Sequence, residues 1–316
     1  MDQRVVKTLK NCLCPTIALL GLLIPTLSPP QFAAGQCTTD GKQSLERSPH
    51  VFCRGGWLVA ETSSFWVCCY DRDLPAAQIV LHCEKLHQRL SKKWLSETVA
   101  TAWSPKCMVV LHPNQESYLA AVGREAATTP GSSLVERLGD RVMKRRIDLR
   151  GDRPDYLTAA LPHEMTHVTL ADHFSPSSLP RWADEGMALL ADTPAKKQLH
   201  LRDLDAAHTP AFRMTELLPL LDYPTSERWG VFYGQSLSVV EYLVRRGGPH
   251  QFVQFLDLAK DKGYDRALHD CYGIHDMNDL DQLWSLALSR SQVDLAKSVA
   301  SSRDARPSRE QEALKQ

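Results

Sequence analysis

The chain has 316 residues, 43% of them apolar, and its 37 basic and 37 acidic side chains cancel. A balanced charge supplies no global field for nucleic acid or an anionic membrane, so neither is an expected partner. The length suffices for one large domain or two lobes with a buried core, and no internal repeat or glycine-rich phosphate loop occurs.

Arg4, Lys7 and Lys10 form a positive start, residues 12–27 are largely apolar, and Ala33-Ala34-Gly35 offers small residues for cleavage. Residues 1–35 are therefore expected to be a secretory signal peptide, placing the protein outside the cell or in the periplasm. Pro15 and Pro25 interrupt the apolar run, leaving well under the ~20 residues that span a bilayer. An uncleaved signal anchor tethering the protein to the membrane is the alternative, and no later segment is apolar enough for stable membrane insertion. After cleavage at Gly35, seven cysteines remain: Cys37, Cys53, Cys68, Cys69, Cys83, Cys107 and Cys271. In an oxidising compartment they predict some disulfides with an odd thiol left over, and the lack of a CxxC pair argues against a second, structural zinc.

Residues 36–150 are expected to form an N-terminal α/β lobe. Residues 57–61 and 65–70 predict a pair of strands and 107–111 another. Ile79, Cys83, Leu86, Leu90 and Trp94 recur at spacings of three and four, the stripe of one buried helix face. His82 and His87 beside that stripe are five apart and do not share a face as metal ligands would. The basic run Lys144-Arg145-Arg146 is short and is expected to be solvated surface.

The chemistry begins at His163-Glu164-Met165-Thr166-His167, followed by Trp182-Ala183-Asp184-Glu185-Gly186. Helix positions four apart lie one above the other, so His163 and His167 can offer imidazole nitrogens to one zinc ion. Glu164 projects beside that clamp, close enough to take a proton from a zinc-bound water without ligating the metal. Hydrolytic zinc keeps three protein ligands and one open position, and Glu185 on a following helix completes the set. Pro162 predicts a bend or a helix start just before His163. Beyond this, helices are expected over 182–192, 234–246, 249–260 and 280–288, with 193–229 as loops around a cleft and 291–316 as a mobile polar tail.

HExxH with WxxEG at this distance resembles the gluzincin zinc metallopeptidases, most closely the peptidase MA-like domains. The likeness extends to Tyr233-Gly234-Gln235-Ser236 leading into Val239-Val240-Glu241-Tyr242-Leu243-Val244, and to a closing part with Leu280 and Trp284. It implies His163, His167 and Glu185 as zinc ligands and Glu164 as general base. Gluzincins commonly place a tyrosine or histidine at the developing oxyanion, which points to Tyr233, with Tyr223 and His208 as further candidates. Asp184 and Asp192 are near enough to orient the imidazoles. Residues 145–149, alternating in polarity, resemble the edge strand along which such peptidases lay an extended peptide. Two features depart from the aminopeptidase branch. Asp184 stands where asparagine is common, and no Gly-Ala-Met-Glu-Asn-like segment occurs, which leaves exopeptidase activity unsupported.

The fold expected from all this is α+β: a small mixed sheet with helices in the N-terminal lobe, a mainly helical C-terminal lobe over 151–290, and a zinc site in the cleft between them. The expected function is zinc-dependent hydrolysis of peptide bonds in an extended peptide or protein substrate. The alternatives are a catalytically silent zinc-containing peptide-binding module and a zinc amidase acting on a non-peptide or cell-wall substrate.

Overall fold

The computed structural model describes residues 6–10, 48–139, 141–174, 179–207 and 211–304, with side chains between 48 and 290. Strands β1 (Val6–Lys10), β2 (His50–Arg54), β3 (Trp57–Glu61), β4 (Phe65–Cys69), β5 (Cys107–His112), β6 (Gly131–Leu138) and β7 (Arg141–Arg150) form one sheet in the order β1-β6-β7-β5-β4-β3-β2. β5 runs parallel to β4 and β7, and every other pair is antiparallel, so the sheet is mixed as expected. Gly55 and Gly56, both at positive φ, close the β2–β3 hairpin in a conformation that glycine adopts without strain.

Helix α1 (Ala76–Leu95) buries its whole predicted stripe from Ile79 to Trp94 against the sheet. His87 is core, not a ligand: its ring lies 3.9 Å from the Trp103 ring, and burial drives its pKa down to about 4. Alternation along β4 sends Cys69 into this main core, and Cys68 joins Trp57, Val59 and Val110 in a small cluster on the other face. The six cysteines among the described residues are all free thiols, against the expectation of disulfides, while Cys37 lies outside those residues. Cys68, Cys69, Cys83 and Cys107 are core side chains, and burial pushes the first two up to about 12, which keeps them protonated and unreactive.

Two expectations about β7 are corrected. It lies inside the sheet, between β6 and β5, so 145–149 is no edge. β6 is the next strand out, and Val6–Lys10 forms the outermost strand on that side, pairing antiparallel with β6 from Val6 opposite Arg137 to Lys10 opposite Ser133. Nor is the basic run solvated surface throughout: Lys144 is half-exposed, but its two neighbours are not. Arg145 is buried, donating to the Pro105 carbonyl at 2.8 Å and pairing with Asp172, and Arg146 donates twice to Asp148 at 2.6 Å. Asp148 also holds His112 Nε2 at 2.7 Å, which ties β5 to β7. Polar alternation in β7 thus comes from compensated buried charge rather than from an exposed face.

After a helix α2 (Gln115–Val122) between β5 and β6, the rest is helical: α3 (Leu161–His173), α4 (Arg181–Leu189), α5 (Pro194–Asp205), α6 (Met214–Leu217), α7 (Trp229–Lys262), α8 (Tyr264–Tyr272) and α9 (Met277–Asp304). A wide π-type turn, Tyr156–Ala160, leads into α3, so Pro162 sits in the first turn, where its missing N–H costs nothing. α7 is broken at Gly248, at positive φ, just before Pro249, which accounts for the two predicted helices there. One further expectation gives way: the stretch 193–229 holds α5 and α6 rather than loops alone. α9 carries helical backbone to Asp304, and residues 305–316 lie outside the described residues. One core cluster, from Ala60 in β3 to Trp284 in α9, joins the sheet to these helices.

Candidate metal centre

α3 presents His163 and His167 on one face, and their Nε2 atoms lie 3.3 Å apart. α4 brings Glu185 to the same point, with its Oε2 3.8 Å from His163 Nε2 and 4.0 Å from His167 Nε2. These are the three predicted ligands, drawn together and buried.

Local sequence explains the placement of α4. Trp182 is fully buried and donates its indole N–H to the Leu218 carbonyl at 3.0 Å, anchoring the helix start. A Cβ on Gly186 would fall 2.4 Å from Val240 Cγ2 and 2.5 Å from the Ser236 carbonyl oxygen of α7. Only glycine after Glu185 lets α7 approach this closely, which gives the Trp-x-x-Glu-Gly pattern a packing cause.

Both imidazoles are held from behind. His167 Nδ1 is 2.8 Å from Asp184 Oδ1, and Arg181 lies 3.5 Å from the other Asp184 oxygen. His163 Nδ1 is 3.3 Å from Asp192 Oδ1, and Lys196 of α5 pairs with Asp192 Oδ2 at 3.0 Å. Burial opposes a charge on His163, but Asp192 outweighs it and raises the imidazole pKa; His163 and Lys196 in turn hold Asp192 low against its own burial. Asp184 and Asp192 are the two carboxylates the sequence singled out. Their cationic partners were missed, although Arg181 and Lys196 stand three and four helix positions from them, a spacing at which opposite charges meet.

Glu164 is buried beside His163 and lies over β6. A Cβ on Gly131 would sit 3.0 Å from Glu164 Cγ and 3.3 Å from its Oε1, so Gly131 makes room for this carboxylate. Nothing in the sequence around Gly131 signals that contact. The Tyr223 hydroxyl donates to Glu185 Oε1, and the Arg181 guanidinium lies over the Tyr223 ring at 5.0 Å. Tyr233 stands next to it, its ring 6.5 Å from that of Tyr223 and 5.8 Å from that of His200. His208 lies outside the described residues.

The arrangement fits a divalent metal ion. With each Nδ1 turned to a carboxylate, the two Nε2 lone pairs face each other at 3.3 Å and repel unless a proton or cation lies between them. Glu185 Oε2 is buried next to both without a hydrogen-bond partner of its own. A point about 2.2 Å from all three atoms exists, close to the zinc–nitrogen and zinc–oxygen distances of about 2.0–2.2 Å. Four carboxylates, Glu164, Asp184, Glu185 and Asp192, surround the two imidazoles, with Arg181 and Lys196 as the basic side chains paired to them, an acid-rich lining of the kind that suits a cation. A second acid-and-histidine grouping, His275, Asp276 and Asp279, is largely exposed, and Asp276 accepts from the backbone N–H groups of Asn278 and Asp279, an ordinary helix cap.

Residues 145–290 match the family model of the peptidase MA superfamily. The match begins inside β7, so β2 to β6 precede it. No curated protein matches the sequence.

Proposed function

With a peptidase MA superfamily domain at residues 145–290 as the premise, we propose that this protein is a zinc-dependent peptidase in which His163, His167 and Glu185 hold the ion and Glu164 is the general base. The observation that carries it is the buried Nε2–Nε2–Oε2 triangle with an unengaged carboxylate oxygen at one corner and a non-ligand carboxylate beside it. A structural zinc site has no use for that extra carboxylate. When bound, zinc would acidify a coordinated water and polarise the scissile carbonyl.

The residues around it divide the remaining work. Glu164 takes the proton of the attacking water on a carboxylate oxygen and passes it to the leaving amine. The Tyr223 hydroxyl, held at Glu185, and Tyr233 beside it are the candidate donors for the developing oxyanion. Asp184 and Asp192 keep the two imidazoles turned inward. With Val6–Lys10 removed together with the leader, β6 would become an edge, and an extended substrate is proposed to add there, beside Gly131 and Glu164. Val6–Lys10 shows that this edge accepts a strand, and backbone pairing of this kind is indifferent to side-chain sequence.

Export through the leader is part of the proposal, supported by the charge and apolar pattern of residues 1–35, and removal of the leader would open that edge. No helix among the described residues is long and apolar enough to cross a membrane.

E164Q should keep one zinc per chain and lower peptide hydrolysis by about 10³-fold or more, whereas H167A should lose the metal. Unchanged cleavage of a peptide library by E164Q would refute the assignment.

A further inference from the structure

We propose that Arg181 is a positioning residue that governs two of the three metal ligands at one remove, His167 through Asp184 and Glu185 through Tyr223. The inference rests on the reading of His167 and Glu185 as ligands. Arg181 opens α4, four residues before Glu185, and its side chain is only 18% exposed. Its guanidinium has two neighbours of different kinds. Toward α3, Nη1 is 3.5 Å from Asp184 Oδ2, and the other oxygen of that carboxylate is 2.8 Å from His167 Nδ1. Toward the segment before α7, the cation covers the Tyr223 ring, whose hydroxyl donates to Glu185 Oε1. The backbone fixes this fork, because Arg181 N–H donates to the Leu220 carbonyl at 3.1 Å and so ties α4 to the stretch that carries Tyr223.

Both arms act on metal binding in the same direction. A cation 3.5 Å from Asp184 Oδ2 keeps that carboxylate aimed, which holds His167 Nδ1 against Oδ1 and leaves its Nε2 lone pair toward the ion. A cation over the face of a phenol holds the ring by its quadrupole, and that keeps the hydroxyl on one Glu185 oxygen while Oε2 faces the ion. His163 has a separate support in Asp192 and Lys196, so loss of Arg181 should weaken the site without dismantling it.

Cobalt(II) is the probe, since histidine and carboxylate ligands of this kind also accept it and its visible bands report ligand geometry. Titrated against a competing chelator into metal-free protein, R181M should bind cobalt about 10-fold more weakly than wild type with shifted bands, in the range measured for groups behind metal ligands. R181K retains a cation beside Asp184 and should recover most of that affinity, which also separates positioning from a general folding defect. R181M should cost less on a D184N background than alone, the mark of a residue that acts through Asp184. Wild-type affinity and bands in R181M, or losses from R181M and D184N that simply add, would overturn the proposal. Cobalt binding does not depend on turnover. A wild-type protein that binds cobalt but cleaves no peptide therefore overturns the peptidase reading alone, and one that takes up no cobalt overturns both.

Discussion

His163, His167 and His87 are all buried, yet burial leads to opposite chemistry in them. A carboxylate stands behind each of the first two, hydrogen-bonded to His167 Nδ1 and 3.3 Å from His163 Nδ1, while the two Nε2 atoms face each other. His87 instead stacks against Trp103 and Phe65, and desolvation lowers its pKa to about 4. The unfolded chain takes up that proton near pH 6.5, whereas the folded protein does so only near 4. Stability from this group is therefore intact above pH 6.5 and declines as pH falls toward 4, by about 3 kcal/mol in total. H87F, which keeps an aromatic ring in the stack, should show a flatter loss of Tm across that window than wild type; parallel curves would contradict this account. At this scale the sequence was most legible where spacing alone dictates geometry, as in His163, Glu164 and His167. It was silent where contact depends on distant chain, as for Gly131 under Glu164 or Tyr223 at Glu185.

Among the elements, α4 and α7 depend on a single missing methyl group. With Val240 and the Ser236 carbonyl within 2.5 Å of where a Cβ would stand, G186A must push the helices apart. The expected cost is about 1–3 kcal/mol, seen as a Tm lowered by several degrees together with a reduced zinc content, because Glu185 rides on the displaced helix. A G186A protein with wild-type Tm and zinc would contradict the packing account. Helices were legible from their apolar stripes, and α1 and the two halves of α7 follow them closely. The sheet was harder. Arg145 and Arg146 give β7 the polarity rhythm of an exposed edge, but Asp172 and Asp148 neutralise them inside. β6, the strand outside β7, carries buried Ser132, Ser133 and Arg137 among its apolar residues, and its sequence does not alternate in any way that marks its place. Cysteine count misled for a related reason: it suggests crosslinks, and the residues serve as small apolar core.

For the whole molecule, one continuous core makes the candidate metal centre a product of sheet and helices together. β6 sets the floor under Glu164, α3 and α4 carry the proposed ligands, and α7 packs against α4 at Gly186. The family match covers the helical part and the end of β7, so the strands before it had to be read from local pattern and pairing. Net charge over the full chain is zero, while four carboxylates gather around two imidazoles at one buried point. That local cluster, more than any global property, is what the proposed dication rests on. Anomalous X-ray diffraction at the zinc edge from crystals of the zinc-loaded protein tests this most directly. The account predicts one strong peak about 2.0–2.3 Å from His163 Nε2, His167 Nε2 and a Glu185 oxygen. A peak elsewhere, or Glu185 turned out of reach of the two imidazoles, would contradict it.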